Sequence, residues 1–350
     1  MMDPLEHLQM LKDSAAGIAP RKGDLKRIRA LRFTEPGFDR ATWQRMCDMG
    51  WLGLRVPEDA GGSGLGAREL CGLAEELGAG LVPEPLIPAA MAAVLLPSDH
   101  LPELLSGERI VLPAWQEQPN SLALTGATEL RDERLSGRKL FVPMAAGADA
   151  FLVTVPGGLA LVERTAPGVY VEIQQTQDGG NFGTLIFDNA PAVPIAGDAT
   201  AALEQTILAS AAYLLGLTDR AFAITLDYMK TREQFGRKIG SFQALQHRAA
   251  DMQIQLSLTR AVVKSAAAVM DREPQLAARQ AAVSRAKMRA SDAAMTVTRA
   301  CIQLHGGVGY TDAYDIGLFL RKAMVLAPLY GSPTVHRARF RRVAPETMDE

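Results

Sequence analysis

The sequence has few of the residues on which disulfide scaffolds, metal sites and hydrolytic centres depend. Its three cysteines, Cys47, Cys71 and Cys301, are far apart and form no CxxC pair. We therefore expect neither a disulfide framework nor a zinc cluster, but free thiols in a reducing compartment. The five histidines show no HxxxH or HExxH spacing, and no GxSxG motif occurs. Metal-dependent and serine-dependent hydrolysis are not expected, and neither is a metal site.

Charge and hydropathy narrow the range of partners. The formal net charge is −2, and basic residues are interspersed with acidic ones instead of forming a lysine-rich run. This argues against nucleic acid as a partner. No window of about 18 residues is both apolar and uncharged, and the first residues show no basic region followed by an apolar one. We expect a soluble, cytoplasmic protein without membrane insertion.

Hydrophobic periodicity divides the chain into three predicted domains. Residues 1–108 alternate short helical patterns with glycine and proline. Residues 198–350 hold helical runs of about 25 to 30 residues with short connections, which predict an antiparallel four-helix bundle. Disorder is predicted only for the tail after Ala344.

The middle domain, residues 109–197, has a strand pattern. Its short apolar runs are bounded by Gly, Pro, Asn or Asp, which is typical of an antiparallel β domain with tight turns. Gly157-Gly158 is a candidate two-residue hairpin turn of the primed kind. The predicted strands are Leu122–Leu124, Lys139–Val142, Phe151–Val155, Leu159–Val162, Tyr170–Ile173 and Thr184–Phe187.

The stretch from Thr231 to His247 joins two long helical patterns and contains an arginine, a phenylalanine and two glycines. Arg232 at a helix C-terminus would complement the dipole, and the glycines would let the chain reverse, so a helical hairpin accounts for them. The same residues would suit a dinucleotide, with the guanidinium group on the pyrophosphate and the Phe235 ring against adenine or ribose. Spacing alone leaves both interpretations open.

A second glycine cluster, Gly306, Gly307 and Gly309, follows a predicted helix end instead of preceding a helix start. The dipole there is negative, so any role in binding a ligand would be steric; the alternative is a glycine helix stop followed by a loop. His305 beside it is predicted to be a hydrogen-bonded structural histidine.

Three ordered motifs resemble the acyl-CoA dehydrogenases, which are FAD enzymes. The first is Arg232–Gly236 with Ile239–Gln243, His247 and Asp251-Met252; the second is Gln303–Thr311; the third runs from Gly50 to Gly78 through Val56-Pro57-Glu58 and Gly61-Gly62-Ser63-Gly64. The resemblance implies an α+β multidomain fold with an N-terminal α-helical domain, a middle antiparallel β domain and a C-terminal four-helix bundle.

The resemblance also implies an activity and its cofactor. The expected reaction is FAD-dependent α,β-dehydrogenation of an acyl-CoA thioester in fatty acid or steroid side-chain metabolism, with electron-transfer flavoprotein as acceptor. The expected assembly is a homo- or hetero-tetramer, in which one subunit reaches the ADP half of FAD bound mainly by its neighbour. The residues that match the FAD contacts are Arg232, Phe235, Gln243, Gln303, Gly306 and Gly307.

The sequence departs from the family pattern at the catalytic base. One family position for the glutamate falls in Leu329–Pro333, which contains no carboxylate, and the other falls on Thr206. Glu204, two residues away, is a candidate replacement. The flavin-contacting loop is also altered, to Pro113–Asn120. Short bacterial members of the family often pair two subunits of which one carries the base, and this chain resembles the base-lacking partner.

Three alternatives remain open from the sequence. The chain could be a complete enzyme that uses Glu204, a non-catalytic assembly subunit that holds no flavin, or a flavin monooxygenase of the same fold.

Overall fold

The structure, a computed structural model, describes residues 4–344, with side chains from residue 8 onward. The tail predicted to be disordered lies outside the described residues. The chain folds into two compact units. The first unit contains Met1–Leu25, Cys71–Val82 and Leu208–Glu350, and the second contains Lys26–Leu70 and Pro83–Ile207. These units combine segments that are distant in sequence, whereas the three predicted domains are continuous ranges. The limits of the predicted domains stay predictions.

Short helices form the N-terminal third, as predicted. They are α1 (Pro4–Ala15), α2 (Lys26–Leu31), α3 (Arg40–Asp48), α4 (Ala67–Ala79), α5 (Leu86–Ala93) and α6 (Leu101–Leu105). Helix α3 shows why they begin and end where they do. The Asp39 carboxylate accepts hydrogen bonds from the backbone N–H groups of Ala41 and Thr42 at 3.1 Å each, and Gly50 just beyond the helix adopts a φ of +73°.

Two four-stranded sheets form the strand-rich part of the second unit. Their orders are β1-β4-β5-β8 and β2-β3-β7-β6. The strands are β1 (Val111–Ala114), β2 (Glu129–Arg131), β3 (Arg134–Pro143), β4 (Ala150–Val155), β5 (Gly158–Glu163), β6 (Val169–Gln175), β7 (Asn181–Pro191) and β8 (Val193–Ile195). Strands β4 and β5 are buried along most of their length, so they carry the core of the first sheet.

Five of the six predicted strands are confirmed, and three details of the β prediction are wrong. Residues 122–124 lie in a loop, where the Leu124 carbonyl accepts a hydrogen bond from the Thr154 hydroxyl. Strand β1 runs parallel to β4, joined by the long crossover that parallel pairing requires. The β4–β5 turn is Pro156-Gly157, because Val155 pairs with Gly158. Proline cannot adopt a positive φ, so the turn is not primed.

Long helices dominate the first unit, and the first of them belongs to it from Leu208 onward. They are α7 (Thr200–Thr231), α8 (Gln243–Arg272) and α9 (Leu276–His305), followed by α10 (Gly307–Tyr310), α11 (Ile316–Leu326) and α12 (Pro333–Val343). The predicted fourth run is thus two helices. Gly331 has a φ of +99°, and the Ser332 hydroxyl accepts the Val335 N–H at 3.4 Å as the N-cap of α12. Helix α7 is long and apolar enough to cross a membrane, but 78% of its most apolar window is buried.

A charged cluster ties together the three sequence segments of the first unit. Arg21 donates hydrogen bonds to Glu76 at 2.6 and 3.0 Å and to Asp219 at 2.9 Å. Arg260 of α8 pairs with Glu75 and, at 3.3 Å, with Asp219. The hydrogen bond to Glu76 raises the pKa of Arg21. Because several charges share these contacts in a partly buried site, the cluster holds α4, α7 and α8 to the N-terminal segment.

A buried lysine closes the C-terminal end of α11. Lys287 of α9 has no exposed surface, and its Nζ donates to the carbonyls of Leu326 at 2.8 Å and Ala327 at 3.1 Å and to the Ser291 hydroxyl at 3.2 Å. These carbonyls end a helix and have no partner within it, so the lysine supplies the cap. Burial lowers the pKa of Lys287 to about 7.

Candidate functional site

A cleft of about 560 Å³ lies where α7 ends, α8 begins and α9 ends. It gathers five of the six residues predicted to contact a cofactor: Arg232, Phe235, Gln303, Gly306 and Gly307. The sixth, Gln243, is exposed at the first position of α8 and does not line the cleft. The other lining residues are Tyr228, Gln234, Ile239, Phe242, Ala244, Leu245, Arg248, Leu304 and His305.

The tip of the α7–α8 connection is a strained hairpin. Strands β9 (Glu233–Gln234) and β10 (Arg237–Lys238) are joined by Phe235 and Gly236, whose φ values are +53° and +74°. Two positive φ values in a two-residue loop define a primed turn, where Asn, Asp or Gly is usual and phenylalanine is costly by about 1 kcal/mol or more. The Phe235 side chain is 92% exposed. Within this chain the ring gains almost no burial in return for the backbone strain.

Two guanidinium groups face the cleft without a partner. Arg232 and Arg248 are exposed, and neither side chain makes a hydrogen bond or ion pair with another residue in 4–344. Arg237 differs, because its guanidinium lies 4.2 Å from the centre of the Phe242 ring. A pair of unengaged guanidinium groups is suited to a diphosphate, which offers several charged oxygens to planar donors.

Two lining residues are not among the predicted contacts: Arg248 lies outside the quoted motifs, and Phe242 lies within the first one. The Phe242 ring meets Phe235 edge-on at 6.3 Å between centroids, so the two form a small aromatic wall. Ala244 and Arg248, four residues apart on α8, line the cleft together. Helical spacing counted from Ala244 could therefore have located Arg248.

The glycine end of α9 is open to solvent. A Cβ built on Gly306 or Gly307 would meet no atom of the described residues within 4 Å. Gly306 has a φ of +65° as the C-cap of α9 and requires glycine, whereas Gly307 has no positive φ. Gly307 also begins α10, so the expectation that these glycines only follow a helix end is wrong. Within residues 8–344, neither backbone strain nor crowding demands glycine at 307.

His305 lines the cleft, and contacts with neighbouring residues hold its ring in place. Its Nδ1 donates to the Cys301 carbonyl at 2.8 Å, which places the imidazole among structural, hydrogen-bonded histidines as predicted. The ring stacks on Tyr228 at 4.3 Å, and its Nε2 is buried without a partner in the described part of the chain. Burial lowers the pKa of His305, so the ring is neutral at pH 7.

Neither expected position for a catalytic base holds a carboxylate. The Thr206 hydroxyl donates to the Ala202 carbonyl of its own helix at 2.9 Å. Tyr330 and Gly331 are buried in a turn with φ values of +60° and +99°. Glu204 lies in α7 and is 2% exposed. Its side chain therefore has almost no contact with water.

The loop that replaces the flavin-contacting motif is fastened by a buried ion pair. Lys139, which has no exposed surface, donates to Glu117 at 2.7 Å, to the Thr154 hydroxyl at 3.1 Å and to the Trp115 carbonyl at 3.3 Å. Burial lowers the pKa of Lys139. Burial acts upward on the pKa of Glu117, but the hydrogen bonds from Lys139 and the backbone outweigh it and lower that pKa.

The Glu117 carboxylate also closes the loop. It accepts the backbone N–H groups of Ala127 at 2.6 Å and Thr128 at 3.2 Å. With Lys139 bound as well, three donors converge on this one side chain. The loop between β1 and β2 is thus bonded to itself, and its only carboxylate in Pro113–Asn120 is occupied.

Two family models match the chain. The model described as "Acyl-CoA dehydrogenase, N-terminal domain" matches residues 6–97, and the one described as "Acyl-CoA dehydrogenase, C-terminal domain" matches residues 197–344 and so includes the whole cleft. The chain belongs to the acyl-CoA dehydrogenase family. Family membership makes it an oxidoreductase of flavoprotein type, and the predicted fold class is confirmed.

Relatives of similar length support the assignment to this family. Acyl-CoA dehydrogenase IpdE2 of Mycobacterium tuberculosis is 29% identical over 99% of both chains. A solved structure titled "Tcur3481-Tcur3483 steroid ACAD G363A variant" is 31% identical, with a TM-score of 0.86 over 97% of both chains. A chain of the ChsE4-ChsE5 complex from Mycobacterium tuberculosis is 27% identical, with a TM-score of 0.87 over 97% of this chain and 98% of that one.

Proposed function

We propose that this chain is the base-lacking subunit of a heteromeric, FAD-dependent acyl-CoA dehydrogenase. It would complete the binding site for the ADP half of FAD, while the partner subunit holds the flavin ring and supplies the carboxylate that removes the α-proton. The observation that carries the proposal is the cleft. It provides an unengaged cation pair, an exposed ring and an open backbone edge, yet neither family position for the base holds a carboxylate.

The residues of the cleft fit the ADP half of FAD. Arg232 and Arg248 would bind the pyrophosphate, the Phe235 ring would pack on the adenosine, and Gln303 would hydrogen-bond a polar edge. Gly306 and Gly307 leave room for the ligand to approach the backbone. Bound FAD would accept the hydride that leaves Cβ of the acyl-CoA. The role of Gln243 stays a prediction, because it lies outside the cleft.

Two features favour a partner subunit over a self-sufficient enzyme. The loop matching the flavin-contacting motif has its carboxylate engaged by Lys139 and the backbone. A carboxylate is required because the thioester only partly acidifies the α-proton. The similar structures named above include one titled as a complex of two proteins and one titled as a steroid enzyme. We therefore infer a hetero-tetrameric assembly, bulky ring-bearing acyl-CoA substrates and electron-transfer flavoprotein as acceptor.

The test is FAD retention by the co-expressed pair of this chain and a related subunit that carries the glutamate. Gly307→Leu should leave folding intact, because a Cβ there would meet no atom of the described residues within 4 Å, but it should displace FAD. Arg232→Ala should weaken FAD binding roughly ten- to a hundredfold, since a charge-assisted hydrogen bond contributes about 1.5–3 kcal/mol. The matched control is Arg131→Ala, which removes an exposed arginine far along the sequence.

The outcomes separate the alternatives. Flavin absorbance that bleaches with acyl-CoA in the wild-type pair, and is lost in Gly307→Leu but not in Arg131→Ala, is the expected result. Full FAD occupancy in Gly307→Leu would show that the cofactor lies elsewhere. A colourless wild-type pair would favour a non-catalytic assembly subunit.

A further inference from the structure

Charge is distributed unevenly in the first unit. The chain has a net charge of −2, yet residues 276–291 of α9 and all of α12 together contain eight arginines and lysines and no acidic residue. Inside this region, burial and then the charges of Arg339 and Lys287 lower the pKa of His336 to about 3. The junction of α9 and α12 is therefore electropositive both in its interior and at its surface.

We term four arginines the basic face: Arg285 and Arg289 of α9 and Arg337 and Arg341 of α12. Arg337 pairs with Asp292 at 3.2 Å, while Arg339 donates to Ser284 at 2.6 Å. Arg337 thus lies beside Asp292, and the later residue Arg339 lies beside the earlier residue Ser284, so the two helices are antiparallel. Arg341, one turn beyond Arg337, consequently lies beside the part of α9 that carries Arg285.

The α9 arginines lie on the side of the helix opposite to its core. Buried positions such as Val283, Ala286 and Ala290 alternate with Arg285 and Arg289, which are half-buried. The Nε atoms of both arginines and one Nη of Arg289 are shielded from water but have no hydrogen-bond partner among the described residues. Shielding charged donors without an acceptor is unfavourable, so an incoming carboxylate would offset a cost already present in the free chain.

We propose that the basic face binds an acidic helix of a partner protein, through two carboxylates spaced one helical turn apart. Arg285 and Arg289 are four residues apart, so their side chains start about 6 Å from each other. Two glutamates at positions i and i+4 of a helix have the same spacing, and each carboxylate accepts a bidentate pair of hydrogen bonds from one guanidinium group.

A protein fits this face better than a nucleic acid does. Met288 and Met295, both half-buried, flank the arginines on α9, and arginine with methionine is typical of protein interfaces, in which lysine is depleted. Helix α9 contains no Phe, Tyr or Trp. Bases of a single strand would therefore find no aromatic side chain on α9 to stack on.

The experiment uses the full-length chain and a labelled, alanine-based helical peptide with two glutamates four residues apart. A control peptide of the same composition has its glutamates two residues apart, so that they point to different sides. Fluorescence anisotropy at about 50 mM salt should show at least about threefold tighter binding of the first peptide, and the difference should shrink at about 300 mM salt.

Paired variants decide whether the basic face is responsible. Arg285→Gln with Arg289→Gln should abolish the preference for the first peptide, whereas Arg131→Gln with Arg138→Gln, which removes the same charge from the exposed edge of β2 and β3, should keep it. If the glutamine pair lowers the helix content by circular dichroism, the lysine pair at 285 and 289 replaces it; it keeps the charge but loses the bidentate geometry, and should reduce the preference.

Two results would overturn the proposal. Equal binding of the two peptides would show that the spacing of Arg285 and Arg289 is not recognised. Tighter binding of a duplex DNA oligonucleotide than of the peptide, through the same two arginines, would identify a nucleic-acid surface instead.

Discussion

Replacing Lys287 by methionine should remove a specific pH dependence of stability. The lysine is fully buried at the end of α11, and burial lowers its pKa from 10.5 to about 7. Between those two values the unfolded chain binds a proton that the folded chain does not. Stability therefore rises with pH, and the unfavourable contribution of the buried charge is fully present only below about pH 7.

The magnitude follows from the shift. Each pH unit above the folded pKa contributes up to about 1.4 kcal/mol, so the free energy of unfolding should rise by about 3 kcal/mol between pH 7 and pH 9.5. The three oxygen acceptors around Nζ favour the charged form and oppose burial, which makes this an upper value. Methionine has similar length and no charge, so Lys287→Met lacks this rise.

The measurement is guanidinium unfolding of both proteins at several pH values and one protein concentration. The quantity that matters is the difference between wild type and variant, because other titrating groups are common to both and cancel. At a single pH the sign is not decisive, since the variant also leaves the carbonyls of Leu326 and Ala327 without their donor. Ser291→Ala keeps the lysine and should keep the slope. A difference that stays constant from pH 7 to pH 9.5 would refute the reasoning.

Three further outcomes are expected. Lys139→Met should destabilise the second unit by about 3–5 kcal/mol, because it leaves the Glu117 carboxylate without its cation. In denaturant unfolding, adding Glu117→Gln should recover part of this loss, whereas additive losses would contradict a coupled pair. Phe235→Asn should stabilise the isolated chain by about 1 kcal/mol in thermal unfolding yet lower FAD retention by the pair, and unchanged retention would remove Phe235 from the site. Glu204→Gln should change the rate of flavin reduction in stopped-flow measurements by less than about threefold, or ~0.7 kcal/mol, whereas a loss of 10²–10⁴-fold with FAD still bound would establish a self-sufficient enzyme.

The cleft could be predicted largely because its residues lie in continuous motifs at helix ends. Arg232 and Phe235 belong to the turn itself, and Gln303 lies in the last turn of α9, so local sequence brings them together. Gln243 belongs to the same motif but does not line the cleft. Successive residues on a helix point about 100° apart, so membership of the motif does not decide which side chain faces the cleft.

The β region shows what periodicity cannot supply. A run such as Val111–Ala114 indicates a strand but contains nothing about the direction of its neighbour, which depends on the whole connection to β4. Residues 122–124 are apolar like a strand, yet they lie in a loop. The hydroxyl of Thr154, 30 residues away from Leu124 in sequence, bonds the Leu124 carbonyl, and the Glu117 carboxylate accepts the Thr128 N–H that follows the loop. Contacts of this kind override local propensity.

The segmented composition of the first unit has a consequence during synthesis. Residues 8–25 and Cys71–Val82 leave the ribosome long before Leu208, while every residue of the second unit is made by Ile207. At about 5–20 residues per second, residues 83–207 take roughly 6–25 s to synthesise. For that interval Glu75 and Glu76 have Arg21 but neither Asp219 nor Arg260 near them. The second unit can thus be complete while Cys71–Val82 still lacks the long helices with which it forms the first unit.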